Sequence, residues 1–245
     1  MSTTPPTVHT IIGRRRFSRD QVLAWEAERL PAAASKIGLP VPPGDLARQR
    51  TAFAESKIAL GAEEIKRRLR RDLRIGEAVA NTTSRLSRGG RAASVCELRV
   101  TGGSAAAFVQ WFGGISRDDY TRSMTAAHPD HFLIQALPDG RQEVIETTGG
   151  SPLPSRFVVD YADLSTLVTP ADPAADAEAA GVAISGKGLS IGGVRHEFRD
   201  VPGGFHASLC VEFPRTTLPR ILSEHRRHLA IEFSNWVESA LGAPR

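Results

Sequence analysis

The sequence ends in one long helical pattern that follows a series of short strand patterns. Thr216–Leu241 has a single proline, Pro219, which fits the first turn of a helix. The upstream segments are short and apolar, and turn sequences such as Pro138-Asp139-Gly140 separate them. Short strands followed by one terminal helix favour an α+β fold in which a curved antiparallel sheet wraps around that helix.

Eight short segments of the sequence are predicted to form strands. The predicted strands are Ala93–Val100, His131–Leu137, Gln142–Thr147, Arg156–Tyr161, Val182–Ser185, Leu189–Ile191, Gly193–Asp200 and His206–Phe213. A helix is predicted over Ser104–Tyr120 and a loop over Pro170–Ala180. The order indicates the helix-grip (START-like) arrangement, which leaves a cavity for a small organic ligand between sheet and helix.

The charge distribution divides the chain. Residues 1–92 hold 18 Lys and Arg against 9 Asp and Glu, whereas residues 93–245 hold 13 against 18. Helices are predicted from Ser18 onward, over Asp45–Leu60 and over Ala62–Leu86. We therefore predict a basic helical N-terminal region, 1–92, and a helix-grip domain with a ligand cavity, 93–245.

The basic surplus is concentrated in Lys66–Arg74, on a predicted helix. Such a helix can contact nucleic acid through phosphates, but neither a zinc finger nor an RNA-binding aromatic signature accompanies it. We interpret it as a solvated face and expect no nucleic-acid partner. We also expect no membrane span and no signal peptide, and hence a cytoplasmic protein, with a homodimer left open. Cys96 and Cys210 are expected to be buried thiols.

The final helix places a histidine and a glutamate on its apolar face. At about 100° per residue, His228 and Glu232 lie one turn apart and share a face with Ile221 and Trp236. A carboxylate on the apolar face of a packed helix is unfavourable unless a partner compensates its charge. A metal ion would do so and would also use a neutral imidazole. His225 lies on the same face, so it remains an alternative ligand.

Further metal-ligand candidates lie in the predicted hairpin. His128 and His131 open it, and Glu146 stands near the end of its second strand. Glu143 competes with Glu146, but residues three apart on a regular strand point to opposite faces, so only one of them can face the cavity. Two His and two carboxylates suit Zn²⁺, although Mn²⁺ or Fe²⁺ would accept the same set.

Four short blocks of sequence resemble the diacetylphloroglucinol hydrolase/phloretin hydrolase family. They follow Trp111 and Tyr120 and read His128-Pro-Asp-His131, Val144-Ile-Glu146-Thr-Thr-Gly-Gly150, His196-Glu-Phe-Arg-Asp-Val-Pro-Gly-Gly204 and His228-Leu-Ala-Ile-Glu232. The resemblance covers roughly residues 105–238. It implies a zinc-dependent hydrolase that cleaves the carbon–carbon bond between an acyl group and a phenolic ring, in a helix-grip domain that follows a helical region.

The resemblance also implies roles for individual residues. His131, Glu146, His228 and Glu232 would bind Zn²⁺, His196 would polarise the substrate, and Tyr120 would lie near the phenol. His206 is added as a third catalytic candidate beside His196 and Tyr120. The expected partner is a small aromatic ketone. The alternative is a non-catalytic helix-grip protein that binds an aromatic or polyketide ligand.

Overall fold

A computed structural model describes residues 6–242 of the chain. The fold is α+β. Its elements, in chain order, are β1 Val8–Ile12, β2 Arg15–Phe17, α1 Arg19–Ile37, α2 Leu46–Ser87, β3 Arg91–Thr101, α3 Ala105–Phe112, α4 Tyr120–Ala126, β4 His131–Ala136, β5 Gln142–Glu146, a 3₁₀ turn Thr148–Gly150, β6 Ser155–Asp160, β7 Ala177–Ser185, β8 Ser190–Val201, β9 Gly204–Pro214 and α5 Pro219–Gly242.

Within residues 6–242, the strands form one sheet of nine in the order β2-β1-β3-β9-β8-β7-β6-β5-β4. Every neighbouring pair is antiparallel. Helix α5 packs against β3 and against the 3₁₀ turn. The main core lies between the sheet and α5 and includes Phe108, Phe198, Phe205 and Phe233, whose rings contact one another.

The range 1–92 is predicted to be a basic helical region, but its described part, from residue 6, begins with two strands instead of a helix. Residues 8–17 form the β1–β2 hairpin, and β1 pairs with β3, with Val8 opposite Val100. The β-branched run Thr10-Ile11-Ile12 favours a strand. Gly13 then adopts φ +61° in the turn, a conformation that glycine reaches without steric cost. The predicted N-terminal region therefore supplies two strands to the sheet.

The helical predictions for residues 18–87 are confirmed. Ser18 caps α1 through a capping box with Gln21. Asp45 caps α2 by accepting a hydrogen bond from the backbone N–H of Arg48 at 2.9 Å. The predicted break between the second and third helices is a kink at Gly61, which has φ 74° and ψ 160° and divides α2 into two limbs.

Two predictions in the second part are wrong in extent. The helix predicted over Ser104–Tyr120 ends at Phe112, where Gly113 follows, and α4 begins only at Tyr120. Strand β7 begins at Ala177, inside the predicted loop, because pairing with β8 overrides the low strand propensity of alanine. Cys96 and Cys210 are free and buried, as expected. Among residues 6–242, none of the helices combines the length and apolar character that a membrane span requires.

Candidate metal centre and its cavity

Three elements bring four candidate ligands together. His131 begins β4 and Glu146 ends β5, and the two residues lie opposite each other across the hairpin. His228 and Glu232 lie one turn apart on α5. All four side chains are buried. The hairpin end and the helix face therefore converge at one point beneath the sheet.

The two imidazole nitrogens lie at distances from each other and from both carboxylates that suit a tetrahedral metal. His131 Nε2 is 3.1 Å from His228 Nε2, 3.1 Å from Glu232 Oε2 and 3.7 Å from Glu146 Oε2. His228 Nε2 is 3.7 Å from Glu232 Oε2 and 3.8 Å from Glu146 Oε2. In a tetrahedron with metal–ligand bonds of about 2.1 Å, ligand atoms lie about 3.4 Å apart. The donor set and its spacing fit Zn²⁺.

Both imidazoles in the cluster are neutral. Burial lowers the pKa of His131 to about 3, and burial together with the neighbouring histidines holds the pKa of His228 well below its ordinary value. His131 Nδ1 lies 3.0 Å from the carbonyl oxygen of Met124, which can only accept a hydrogen bond. The ring proton therefore resides on Nδ1, and Nε2 presents a lone pair to the cluster.

The two carboxylates are held in an environment that disfavours their charge. Burial raises the pKa of Glu146 to about 7, although Thr148 Oγ1 donates a hydrogen bond to Glu146 Oε1 at 2.7 Å. Burial, and then the charge of Glu146, raises the pKa of Glu232 well above its ordinary value. A divalent cation would compensate both carboxylates and use both imidazole lone pairs.

His128 and Asp130 form a second group around His228 but fit a metal less well. Arg29 donates two hydrogen bonds of 2.8 Å to the Asp130 carboxylate, which neutralises it. His128 Nδ1 accepts the backbone N–H of Asp130 at 3.0 Å. The His128 ring stacks on that of His228 at a centroid distance of 3.8 Å, so two stacked rings cannot aim lone pairs at one ion. The His128 ring therefore packs against His228, and the backbone N–H of Asp130 orients the His128 ring.

Glu143 and His225, the remaining alternative ligands, make their hydrogen bonds outside the four-residue cluster. Glu143 faces the opposite side of β5 from Glu146, where Gln135 and Arg156 donate to it at 2.7 Å and Lys66 lies at 3.3 Å. His225 Nδ1 lies 3.1 Å from Ser94 Oγ. The hydroxyl of Ser94 donates to the carbonyl oxygen of Leu222 at 3.2 Å, so the ring of His225 donates to Ser94.

A cavity of about 280 Å³ adjoins the four-residue cluster. It lies between the sheet and α5, and the second limb of α2 contributes Gly76, Val79, Ala80 and Thr83 to its wall. Its lining is mostly apolar and aromatic. The polar side chains that line it include Glu146, Glu232, His196, His225, Gln142 and Tyr161.

Of the predicted catalytic residues, His196 lines the cavity and Tyr120 does not. His196 lines the cavity beside Phe233, at a ring distance of 4.6 Å, and burial lowers its pKa to about 3. Tyr120 is buried behind the cavity wall, and its hydroxyl accepts a hydrogen bond from Gln142 Nε2 at 2.7 Å. Burial raises its pKa.

The structure does not bring His206, the third catalytic candidate, to the cavity. Its strand neighbours Phe205 and Ala207 point into the core, and alternate residues of a strand face opposite sides. His206 therefore lies on the outer face of β9, half-buried, outside the part of the described chain that lines the cavity.

Two polar cavity residues, Gln142 and Tyr161, are not among the residues predicted from the sequence. Gln142 was detectable, because Gln142, Val144 and Glu146 alternate on one face of β5. Tyr161 lies just beyond β6 and donates to Gln142 Oε1 at 3.3 Å. No local pattern predicts the direction of a side chain that follows a strand end.

Comparisons with known proteins do not identify a family for this chain. No family model matches the chain, and no curated protein matches it. Among solved structures, it is similar to Protein Ms6760 from Mycobacterium smegmatis, with 10% identity over 61% of this chain and 86% of that chain and a TM-score of 0.31. A likeness at that level identifies neither a fold family nor a function.

Proposed function

We propose that this protein is a zinc-dependent hydrolase that cleaves the carbon–carbon bond between an acyl group and a phenolic ring. One observation carries the proposal: the Nε2 atoms of His131 and His228 lie 3.1–3.8 Å from each other and from a carboxylate oxygen of both Glu146 and Glu232, beside a largely apolar cavity. The same four residues are those that the resemblance to the diacetylphloroglucinol hydrolase/phloretin hydrolase family implies.

We also propose that the sheet and α5 form a helix-grip (START-like) domain. The antiparallel sheet, the long terminal helix packed on it and the cavity between them support this assignment. A cavity of about 280 Å³ with mainly apolar walls and a few polar groups suits an aromatic ketone.

The cluster is suited to Lewis-acid chemistry. A bound Zn²⁺ supplies a Lewis acid for a carbonyl and a hydroxide nucleophile near neutral pH. His131 and His228 offer neutral lone pairs, and Glu146 and Glu232 supply the negative charge that holds a divalent ion. Met124 fixes the proton of His131 away from the cluster. Trp236 stacks on the His131 ring at 5.7 Å and shields it from solvent.

The net reaction moves one proton. A hydroxyl group from water bonds to the acyl carbon, the bond from that carbon to the ring breaks with its electron pair going to the ring, and the ring carbon takes the remaining proton of the water. The products are a carboxylic acid and the deacylated phenol. His196 stays neutral in the cavity and can donate its N–H to the ketone or phenol oxygen. His225, which also lines the cavity, is a second neutral imidazole that can accept a proton.

The second candidate function is a binding protein for an aromatic or polyketide ligand, without turnover. The apolar character of the cavity wall favours it, because burial of apolar ligand surface alone can supply affinity. It requires neither metal nor proton transfer, so metal content and turnover separate the two candidates.

The test measures the zinc content of the protein and its release of carboxylic acid from ketone substrates. Protein purified without a histidine tag is expected to hold about one zinc per chain by elemental analysis. It is also expected to release carboxylic acid from acylated phloroglucinols or dihydrochalcones until a chelator is added. His228→Ala should lose both properties, and His206→Ala, which removes a histidine outside the cavity lining, should keep both. Metal-free protein that binds these ketones without acid release would instead support the binding protein.

A further inference from the structure

A second, smaller cavity of about 110 Å³ lies between α1 and α5. Trp25 and Arg29 line it from α1, and Arg220 and Arg227 line it from α5. His228, one of the four candidate ligands, belongs to its lining as well. At roughly 30 Å³ per water molecule, the cavity has room for a few waters or for one small polar ligand.

The His228 ring lacks a hydrogen-bond acceptor that its position requires. Its Nε2 atom lies in the ligand cluster, 3.1 Å from His131 Nε2. When Nε2 binds a metal, the single proton of the neutral ring resides on Nδ1. That atom is buried, and none of residues 6–242 forms a hydrogen bond with it. Metal-binding histidines almost always donate this second N–H to an oxygen. The cavity that His228 lines is where such an oxygen can bind.

The ring of His128 offers a second donor of the same kind. Its Nδ1 atom accepts the backbone N–H of Asp130 at 3.0 Å, so its proton resides on Nε2. Nε2 is buried and has no partner within the described part of the chain. His128 and His228 are 1% and 3% exposed, and both line the cavity. Two buried N–H groups without acceptors match a ligand that carries more than one oxygen.

Arg29 provides positive charge beside these rings. Burial is the main reason why the pKa of His128 and the pKa of His228 lie well below their ordinary values, and the charge of Arg29 lowers both further. Arg29 donates to Asp130 through Nε and Nη2. Its Nη1 lies 3.7 Å from the position that a Cβ on Gly150 would take, and Gly150 lines the cavity. Nη1 is therefore the group that Arg29 can offer to a ligand.

The other two carboxylates of the lining do not supply the missing acceptor. Glu224 lies 3.4 Å from the guanidinium of Arg227, and Glu28 is exposed to solvent. Neither of them accepts a hydrogen bond from His228 Nδ1. Arg220 adds a further cation from the first turn of α5. Imidazole N–H groups next to guanidinium groups favour a negatively charged oxygen ligand.

We propose that this cavity binds a small oxyanion, a carboxylate or inorganic phosphate, which accepts a hydrogen bond from His228 Nδ1. The inference rests on the zinc site of the proposed function, because a metal at Nε2 places the proton on Nδ1. In metal-free protein, Nε2 carries the proton instead and donates it to the lone pair of His131 Nε2. Nδ1 then presents a lone pair, which repels an anion. Oxyanion and metal therefore raise each other's affinity by the same factor.

The test measures this linkage from both sides. Acetate and inorganic phosphate are titrated by calorimetry into zinc-loaded protein and into protein freed of metal with a chelator. At least one of the two anions is expected to bind the zinc-loaded form about tenfold more tightly, the effect of one hydrogen bond to a charged group. The same anion should raise zinc affinity about tenfold in competition with a chelating dye. The comparison of acetate with phosphate identifies the preferred oxyanion.

Two arginine variants separate the cavity from the metal itself. Arg220→Gln removes a cation from the cavity lining and should weaken binding of the anion at least threefold. Arg226→Gln is the matched control, because Arg226 lies on the same helix but does not line the cavity. It should keep the affinity of wild type. An anion that coordinates the metal directly would bind both variants equally.

The inference is overturned if neither anion binds, if zinc does not change the affinity for the anion, or if the two variants behave alike. A tenfold linkage in a protein that releases no acid from aromatic ketones would refute the proposed hydrolase and support the oxyanion site. Zinc binding with acid release, but without any effect of either anion, would support the hydrolase and refute the oxyanion site.

Discussion

His131 Nδ1 lies 3.0 Å from the carbonyl oxygen of Met124. This hydrogen bond fixes the tautomer of the buried imidazole, since a carbonyl oxygen can only accept. The lone pair of Nε2 therefore always faces Glu232, His228 and Glu146. Metal-binding histidines are commonly oriented in this way by a second hydrogen bond. The backbone of α4 thus orients the His131 ring so that its Nε2 atom is available to bind a metal.

Glu232→Gln is expected to have opposite effects with and without metal. In metal-free protein it removes a buried carboxylate and should raise the free energy of unfolding by about 2 kcal/mol. With zinc present it should weaken binding, so that the stabilisation by added zinc shrinks. Thermal unfolding with chelator and with excess zinc measures both effects. A loss of stability in chelator would contradict the assignment of Glu232 as an uncompensated ligand.

The free energy of unfolding should decrease at low pH because His196 is buried in its neutral form. Burial lowers its folded-state pKa to about 3, whereas an unfolded histidine titrates near 6.5. Between these values the unfolded chain binds more protons, so the free energy of unfolding falls by about 1 kcal/mol per pH unit as pH decreases through this window. His196→Phe should remove this contribution. Urea unfolding in chelator at pH 7.5 and pH 5 measures the difference, and equal slopes in both proteins would argue against it.

Gly149→Ala should lower zinc affinity and stability, although Gly149 is not itself a candidate ligand. Gly149 has φ +55°, and a Cβ there would lie 2.4 Å from the carbonyl oxygen of Ile221 on α5. The adjacent Thr148 donates to Glu146, so displacement of the turn should lower zinc affinity as well as stability, the latter by about 2–3 kcal/mol. Gly140→Ala is the control: it has φ +86° but open space around it. It should lose only stability, about 1 kcal/mol, and keep its zinc affinity.

Arg29→Met should leave a buried charge without its partner. Asp130 is almost fully buried, and Arg29 donates two hydrogen bonds to it. Breaking such a pair from one side costs about 3–5 kcal/mol. The double variant Arg29→Met/Asp130→Asn should recover much of this loss in chemical denaturation. Additive losses would show that the two residues act independently.

The strand and helix periodicities account for what was predictable in the site. Alternation on β5 places Glu146 in the cavity and Glu143 on the other face, and one helical turn places His228 above Glu232. The same alternation places His206 on the outer face of β9, because its strand neighbours Phe205 and Ala207 point into the core.

Other features of the fold and the site depend on contacts between residues that are far apart in the sequence. The β1–β2 hairpin exists because β3 offers an edge more than 70 residues later along the chain. Tyr120 and Tyr161 are linked through Gln142, which lies between them in sequence and begins β5. Periodicity within a segment contains no information on such partners, so these relationships could be found only in three dimensions.

The kink at Gly61 gives the two limbs of α2 separate tasks. The limb before it carries Lys57, whose ammonium donates to the backbone of His131, and the limb after it walls the cavity with Val79 and Thr83. The first turns of the second limb also pack on the hairpin through Ile65 and Leu69, so only the cavity-lining turns beyond them can vary without moving the candidate ligands. Evolution can therefore change the range of molecules admitted and conserve the reaction by varying the last turns of a single helix.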